Sequence, residues 1–270
     1  MSIDNFYKIS KKEIKQNVNN YWFFLSAIVF CFLNFIIVYF SESISGDYSQ
    51  TDVRSLSLSI IHLQMYLVPL FSFILSYDSI LSERESGMLD LILSYRITFF
   101  DVLMGKLIGN SILFSLSFIL GFLPVFIYLV FLGVSFFSLF KFVCVSIWLI
   151  FIFNSIALYV SMSSKDRTVV ILVSIFIWLF FVFVYDIFYV VLAILFDTKS
   201  FSDNLSFLLF LNPAEIFRLS SIFYFMPSDA NDLFGINVGV LNLLYVYVSM
   251  VLWVIFSIGG FYFIYIRNRW

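Results

Sequence analysis

Six long runs of apolar residues, separated by shorter polar stretches, set the pattern of the chain. The runs cover residues 22–40, 56–80, 107–132, 142–162, 169–196 and 240–266. A helix rises about 1.5 Å per residue, so about 20 apolar residues cross the hydrocarbon core of a bilayer. The pattern therefore predicts an all-α membrane protein with six transmembrane helices.

The composition agrees with a membrane environment. Hydrophobic residues make up 62% of the chain and charged residues 12%, whereas a soluble domain is typically about 45–50% apolar and about 25% charged. In water such a chain would expose large apolar areas, but in lipid this exposure has no cost. The net charge of −2 gives no reason to expect a nucleic-acid partner.

The lysines and arginines are distributed unevenly between the two sides of the predicted bundle. If the N-terminus is cytoplasmic, eleven of the 15 basic residues lie on cytoplasmic segments and four lie outside. The four outer residues are Arg54, Lys141, Lys199 and Arg218. Because cytoplasmic loops are enriched in Lys and Arg, this asymmetry predicts a multi-pass protein with both termini cytoplasmic. No signal-peptide cleavage pattern follows the first apolar run.

A basic amphipathic helix is predicted over residues 1–21, before the first span. Apolar and small residues recur there at helical spacing, and four lysines lie mostly off that stripe. The stripe includes Tyr7, Ser10 and Ile14, and the lysines are Lys8, Lys11, Lys12 and Lys15. This pattern is typical of a helix that lies in the membrane interface. The alternative is an ordinary basic flank that only sets the topology.

A long segment predicted on the inner side, residues 81–106, joins the second and third spans. Ser82 and Glu85 fit the capping box S-x-x-E, and Thr98 and Asp101 fit a second box further on. The segment is therefore predicted to form a helix, a break and another helix along the inner face. A catalytic role for Glu83 and Glu85 is unfavourable, because residues two apart on a helix do not face each other.

A long segment predicted on the outer side, residues 197–239, contains a helix start. Asn212 suits the N-cap, Pro213 the first helical position and Glu215 the third. Phe217 belongs to the apolar face of this helix, and Arg218 follows it. The helix could present a docking surface to a periplasmic partner. It could also pack back on the bundle and close its outer end.

A few polar residues fall inside or near the spans. Asp186 lies well within span five, where an exposed carboxylate would be costly, so it should face protein or water. It could line a translocation route or bond a neighbouring helix. Asp78 is expected at the inner interface. Asp78, Asp186 and His62 are the candidates for lining or gating a translocation route. His62 and Met65 lie one turn apart and offer ligand types that suit copper. Two ligands do not make a metal site, however, so the default expectation is that His62 packs against a neighbouring helix.

The stretch "SERESGMLDLILSYRITFFDVLMGK", residues 82–106, resembles the signature of ABC-2 type transporter permeases. The signature residues are Glu83, Arg84, Glu85, Gly87, Leu89 and the pair Gly105 and Lys106. The six spans, the cytoplasmic termini and the basic N-terminal helix extend the resemblance to nearly the whole chain. It implies one permease domain over residues 1–270, with a type V exporter-like fold and residues 81–106 as a cytoplasmic coupling region.

The resemblance also implies partners. Residues Ser82, Glu83, Arg84, Glu85, Gly87 and Leu89 would dock a dimer of a separate cytoplasmic ATPase. This chain carries no Walker motif, since Leu107 follows the only Gly-Lys pair. The chain is therefore expected to be a non-catalytic subunit that binds no cofactor, with ATP and Mg²⁺ held by the ATPase. Two permease chains normally pair, which implies a homodimer in the membrane lipid.

Three further stretches narrow the resemblance. "ILSYDSI" (74–80), "FVYDIF" (183–188) and "LFLNPAEIFRL" (209–219) resemble the permease subunits of ABC complexes that mature nitrous oxide reductase. This likeness implies a location in the bacterial inner membrane, a periplasmic accessory protein and a role in copper-site assembly. The alternative within the same fold is an exporter of drugs, lipids or polysaccharides. An ATP-independent secondary transporter would predict more charge within the membrane or paired broken helices. The cargo, whether a sulfur species, copper or none, stays open.

Overall fold

The computed structural model describes residues 3–18, 21–45, 50–95, 97–164, 166–195, 208–225 and 243–267. Every regular element within these ranges is helical. Six of the described helices are long and apolar enough to cross a membrane: Tyr21–Phe40, Val53–Glu85, Phe99–Phe131, Phe136–Ser163, Arg167–Leu192 and Tyr245–Phe263. The prediction of an all-α chain with six spans is confirmed.

Eleven α-helices and one π-helical turn account for these ranges. They are α1 (Ile3–Asn17), α2 (Tyr21–Ser45), α3 (Gln50–Ser76), α4 (Leu81–Glu85), α5 (Met88–Leu93), α6 (Phe99–Phe131), α7 (Phe136–Ser163), α8 (Arg167–Leu179), the π turn Phe180–Val184, α9 (Tyr185–Leu195), α10 (Pro213–Phe225) and α11 (Leu243–Arg267). The third span begins two turns before the predicted residue 107, because Thr98 and Asp101 form the predicted capping box and start the helix there.

Helices α6 and α7 form the centre of the bundle. Helices α1 and α2 pack on α6, whereas α3 and α10 pack on α7. Phe30 of α2 joins these layers, with ring centroids 5.4 Å from Phe71, 5.9 Å from Phe114 and 5.5 Å from Phe118. Such ring contacts add to the close packing between the helices. The second, third and first spans are therefore held as one block.

Span five is interrupted by the π turn Phe180–Val184. A π turn inserts a residue into the helical ladder, and such turns are frequent at functional sites. The side-chain amide of Asn212 donates to the carbonyl oxygen of Phe181 at 2.7 Å, and Tyr185 donates its hydroxyl to the carbonyl of Leu208. The segment before α10 is thus attached to span five at this irregular turn.

Helix α10 starts as the sequence predicts. The Asn212 side chain accepts a hydrogen bond from the Ala214 amide at 2.9 Å, as an N-cap residue does. The helix packs on α3, α7 and α11, and Asn212, Glu215 and Phe217 are completely buried. The structure therefore has the helix packed back on the bundle. Asn212, Pro213, Glu215 and Phe217 face the interior in this arrangement, and Arg218 is partly buried. Contact of these residues with a periplasmic partner stays a prediction.

Candidate functional site

The predicted coupling region, residues 81–106, folds as a helix, a break and a helix. Helix α4 ends before Gly87, which adopts a left-handed backbone with φ of 70° and precedes α5. Residues with a side chain rarely adopt this conformation, so glycine suits the break. Thr98 then starts α6, with its hydroxyl accepting from the Asp101 amide at 3.2 Å. The predicted sequence of elements in this region is confirmed.

The capping box predicted for Ser82 and Glu85 is wrong. The chain is already helical when it reaches Ser82, whose amide and hydroxyl both donate to the carbonyl of Asp78, at 3.1 and 2.7 Å. The amides of Ile80 and Leu81 instead share the hydroxyl of Ser161 on α7, at 3.3 Å each. A distant helix therefore performs the capping, and short-range spacing cannot reveal such a contact.

The predicted docking residues point in different directions. Glu85 and Gly87 are exposed, whereas Leu89 is buried in the small core beneath α5. Arg84 turns inward and donates to the carbonyl of Met162 at 3.2 Å. Only part of the predicted set is thus on the surface, and the rest attaches the region to the bundle.

One surface ion pair links α4 to span five. Arg167, at the start of α8, donates to the Glu85 carboxylate at 2.7 and 3.1 Å. The carboxylate of Asp78 lies 3.6 Å from the same guanidinium. All three groups are partly exposed, so solvent screens their attraction and these pairs contribute little to stability. Asp78 therefore lies at this end of the bundle, beside the coupling region.

A buried ion cluster, the Lys106 cluster, lies beneath the coupling region. The Lys106 ammonium is 2.8 Å from the Glu13 carboxylate, 3.1 Å from that of Glu83 and 2.9 Å from the Ser79 carbonyl. The Lys106 and Glu13 side chains are 3% and 5% exposed. A buried charge of this kind needs its partners. The cluster joins α1, α4, α6 and the end of α3.

Helix α1 reaches this cluster through a seam of glycines on α6. A Cβ atom at Gly105 would lie 2.6 Å from Ile9, and one at Gly109 would lie 2.8 Å from the Cβ of Glu13. Small residues four apart allow such close helix packing. Ile9, Ser10 and Glu13 are the buried face of α1. Of the predicted stripe, Ser10 is therefore packed, Ile14 is half-buried and Tyr7 is exposed. Placement of α1 at a membrane interface stays a prediction.

Sequence reasoning missed Glu13, although a signal existed. A glutamate within a lysine-rich helix is normally expected to be exposed to solvent. The G-x-x-x-G spacing of Gly105 and Gly109, with Lys106 beside it, is the feature that indicates a closely packed helix with a charge to satisfy.

A second charged cluster, the Arg218 cluster, lies at the other end of the bundle. The Arg218 guanidinium is 2.5 Å from the Glu215 carboxylate and 3.7 Å from that of Asp186. Nineteen residues separate Asp186 from Arg167 at the start of span five, which is roughly 28 Å along a helix. His62 of α3 lies close enough to interact with both Arg218 and Asp186.

This cluster combines residues that the sequence assigned to separate roles. Asp186 and His62 were predicted for a pathway or gate, and Glu215 and Arg218 for a partner surface. Glu215 is 0% exposed, and α10 lies outside the six spans. Burial raises the pKa of Glu215 to about 8, with Arg218 acting in the opposite direction and Asp186 in the same one.

The sequence profile of the ABC-2 family of transporter proteins matches residues 7–267. The chain belongs to the ABC-2 transporter family. This ABC-2 permease is 28% identical over 243 residues to the "Probable ABC transporter permease protein NosY" of Stutzerimonas stutzeri, covering 88% of this chain and 86% of that protein. It is 26% identical over 226 residues to the protein of the same description in Pseudomonas aeruginosa, covering 80% and 81% of the two chains.

A chain of buried amides and hydroxyls extends from the Lys106 cluster into this ABC-2 permease. Asn17 of α1 donates to Asn110 at 3.3 Å, and Asn110 donates to Ser76 at 3.3 Å. Ser76 then donates to Asn154 at 3.0 Å, and Asn154 to Ser111 at 3.2 Å. Hydrogen bonds of this kind fix the relative positions of membrane helices. Motion of α1 or α4 is therefore linked to α3, α6 and α7.

The residues with copper-compatible chemistry do not combine into a ligand set. Met65 is 1% exposed and packs in the main apolar core, whereas His62 faces the Arg218 cluster. Within the described ranges, no group of three or more His, Cys, Asp or Glu residues has an arrangement that could hold a metal ion.

Proposed function

We propose that this ABC-2 permease is the membrane subunit of an ABC complex and that a separate ATPase docks on its coupling region. The family match over residues 7–267 supports the permease role. The Lys106 cluster is the observation that carries the proposal, because it attaches α4 rigidly to α1 and α6. A surface that receives force needs such a connection to the helices it moves.

The exposed part of the coupling region forms the proposed docking surface. Glu85, Gly87, Met88 and Leu91 are exposed there, and Leu91 is 54% accessible. An apolar, exposed side chain at the end of a membrane bundle suits a protein contact better than water. The charged Glu85 at its edge gives the contact a defined polarity.

The buried part of the region transmits the motion. A displacement of α4 moves Glu83, which is joined to Lys106 on α6, and Arg84, which is joined to the end of α7. Lys106 also holds Glu13, so α1 moves with the same unit. In this proposal the ATPase dimer binds ATP and Mg²⁺, and its closure shifts these helices in two paired permease chains.

The orientation follows from the docking surface. The ATPase is cytoplasmic, so the coupling region and both termini lie in the cytoplasm and the Arg218 cluster lies near the opposite face of the inner membrane. The uneven distribution of Lys and Arg favours the same orientation. The accessory protein inferred from the sequence would then contact the periplasmic side through residues other than the buried face of α10.

The process we propose is maturation of the copper site of nitrous oxide reductase. Its support is the similarity to two NosY permease proteins over at least 80% of this chain, together with the resemblance of residues 209–219. Export of a drug, lipid or polysaccharide is the alternative. Maturation and export predict different neighbouring genes and different phenotypes when the permease gene is lost.

Co-purification tests the docking proposal. The permease is expressed with the ABC ATPase encoded beside it, and ATPase recovered on the permease is measured. We expect Glu85→Arg to abolish recovery, because it reverses a charge on the docking surface. Arg167→Ala is the matched control, since it breaks the same ion pair without adding a positive charge. Equal recovery with Glu85→Arg and wild type, or equal loss with Arg167→Ala, would contradict the assignment.

Complementation tests the process. The gene is introduced into a nitrous-oxide-reducing bacterium that lacks its own permease gene, together with its ATPase and accessory genes. We expect recovery of nitrous oxide reduction and of copper in the purified reductase. An assembled, ATP-hydrolysing complex that leaves the reductase without copper would refute the maturation role and favour export.

A further inference from the structure

The described part of the Arg218 cluster contains more negative than positive charge. Among the described residues, the carboxyl groups of Asp186 and Glu215 share one guanidinium. If both carboxyls were ionised, one negative charge would remain in excess beside a fully buried side chain. An uncompensated buried charge is costly, and a protein generally avoids it by pairing the charge or by neutralising the group.

The bonding of Glu215 shows where the imbalance lies. Its Oε2 atom accepts from Arg218 at 2.5 Å, but its Oε1 atom is buried and has no hydrogen-bond donor in the described part of the chain. The Asp186 carboxyl group lies within hydrogen-bonding reach of Glu215. Two ionised carboxylates can only accept hydrogen bonds, so such a contact is favourable only when one of them carries a proton.

We propose that Asp186 and Glu215 form a proton-binding site in which one proton is shared between the two carboxyl groups beside Arg218. Binding forms one O–H bond with a proton taken from water and moves no electrons. It converts the excess negative charge to zero and supplies a donor between the two carboxyl groups.

The groups around Glu215 act in both directions. Arg218 and the N-terminal position of Glu215 in α10 favour the ionised carboxylate. Burial and Asp186 favour the protonated form, and burial is the larger effect, which raises the pKa of Glu215 to about 8. Among the described residues, the other titratable groups that face the cluster are Tyr185 and Tyr189 of α9 and His62 of α3.

The site has a structural consequence. Arg218 and Glu215 belong to α10, whereas Asp186 lies two residues after the π turn of span five. A neutral cluster, with a proton between its two carboxyl groups, holds α10 against that turn, next to the Asn212 contact with Phe181. Loss of the proton leaves two carboxylates on the two sides of this contact and weakens it. The attachment of α10 is therefore sensitive to pH.

Infrared spectroscopy of the full chain in nanodiscs, without ATPase, tests the site. The protonated pair should give a carboxylic acid C=O band that shifts in D₂O and is lost as the pH rises through about 8. Glu215→Gln keeps the side-chain shape but should abolish this band. Its persistence in Glu215→Gln, or its absence from the wild type, would overturn the proposal.

A second variant tests the sharing of the proton. Asp186→Asn removes the neighbouring carboxyl, so the band should be lost at a lower pH than in the wild type. An unchanged midpoint would show that Glu215 binds its proton without Asp186 and would contradict the shared site. Asp166→Asn alters an exposed carboxyl in another part of the chain and should leave the band unchanged. Because no ATPase is present, these results are independent of the docking proposal.

Discussion

Replacement of Lys106 by methionine is the perturbation that most severely tests the Lys106 cluster. The variant keeps the length of the side chain but removes the ammonium that lies 2.8 Å from Glu13 and 3.1 Å from Glu83. At these distances each ion pair has a gross Coulomb energy of about 5 kcal/mol at an effective dielectric constant of about 20. Desolvation offsets part of this, but the Glu13 carboxylate would remain buried without its cation, and Glu83 would keep only the exposed Lys12 as a partner.

Removing one partner of a buried ion pair typically costs about 3–5 kcal/mol. A chain of this size loses about 2–4 °C of melting temperature per kcal/mol. We therefore expect Lys106→Met to lower the apparent melting temperature in nanodiscs by about 10 °C. Lys12→Met is the matched control, because Lys12 pairs with the same Glu83 at 3.2 Å but is 43% exposed. An exposed pair contributes about 0–1 kcal/mol.

The double variant Lys106→Met with Glu13→Gln separates charge from packing. It removes a carboxylate together with the cation, so it should be more stable than Lys106→Met alone. The reasoning is refuted if Lys106→Met lowers the melting temperature no more than Lys12→Met does. It is also refuted if Glu13→Gln destabilises the Lys106→Met protein as much as it destabilises the wild type.

Three further outcomes are expected from thermal unfolding. Gly105→Ala should destabilise the protein by about 1–3 kcal/mol, since its Cβ would meet Ile9 at 2.6 Å. Gly259→Ala is the control and should not destabilise it, because a Cβ there would lie in open space. Equal effects of the two substitutions would contradict the close packing of α1 on the glycines of α6. Thr98→Ala should lower the free energy of unfolding by about 1 kcal/mol through loss of the N-cap of α6. An equal loss in Ser82→Ala would contradict the finding that Ser82 does not cap α4. Burial raises the pKa of Glu215 in the folded protein to about 8, above its usual 4.5. Its contribution to the free energy of unfolding should therefore fall as the pH rises between these two values. The same fall in Glu215→Gln would show that another group causes it.

The spans were predictable because length and hydropathy are properties of local sequence. The Thr98 and Asn212 caps were also predictable, since each involves a residue and an amide two or three positions away. Ser82 has the same local pattern as Thr98, but the chain before it is helical and Ser161 of α7 bonds the free amides. Local pattern indicates a cap only where the preceding backbone is extended, as it is at Thr98.

The charged clusters were beyond sequence reasoning because each joins distant segments. Glu13 and Lys106 are 93 positions apart, and neither residue type alone indicates burial. Asp186 was expected to face protein or water, because a carboxylate in a span is costly in lipid, and it pairs with Arg218. The sequence left open whether α10, which carries Arg218, docks a partner or packs on the bundle, since its apolar face fits both.

Photo-crosslinking from the coupling region tests the central claim most directly. A photoreactive amino acid is placed at Leu91, exposed on α5, and separately at Ile112, exposed in the middle of span three. The complex with the ABC ATPase is then irradiated, and crosslinked ATPase is measured. We predict a permease–ATPase crosslink from position 91 and none from position 112. An assembled complex with no crosslink from position 91, or with equal crosslinks from both positions, would contradict docking on the coupling region.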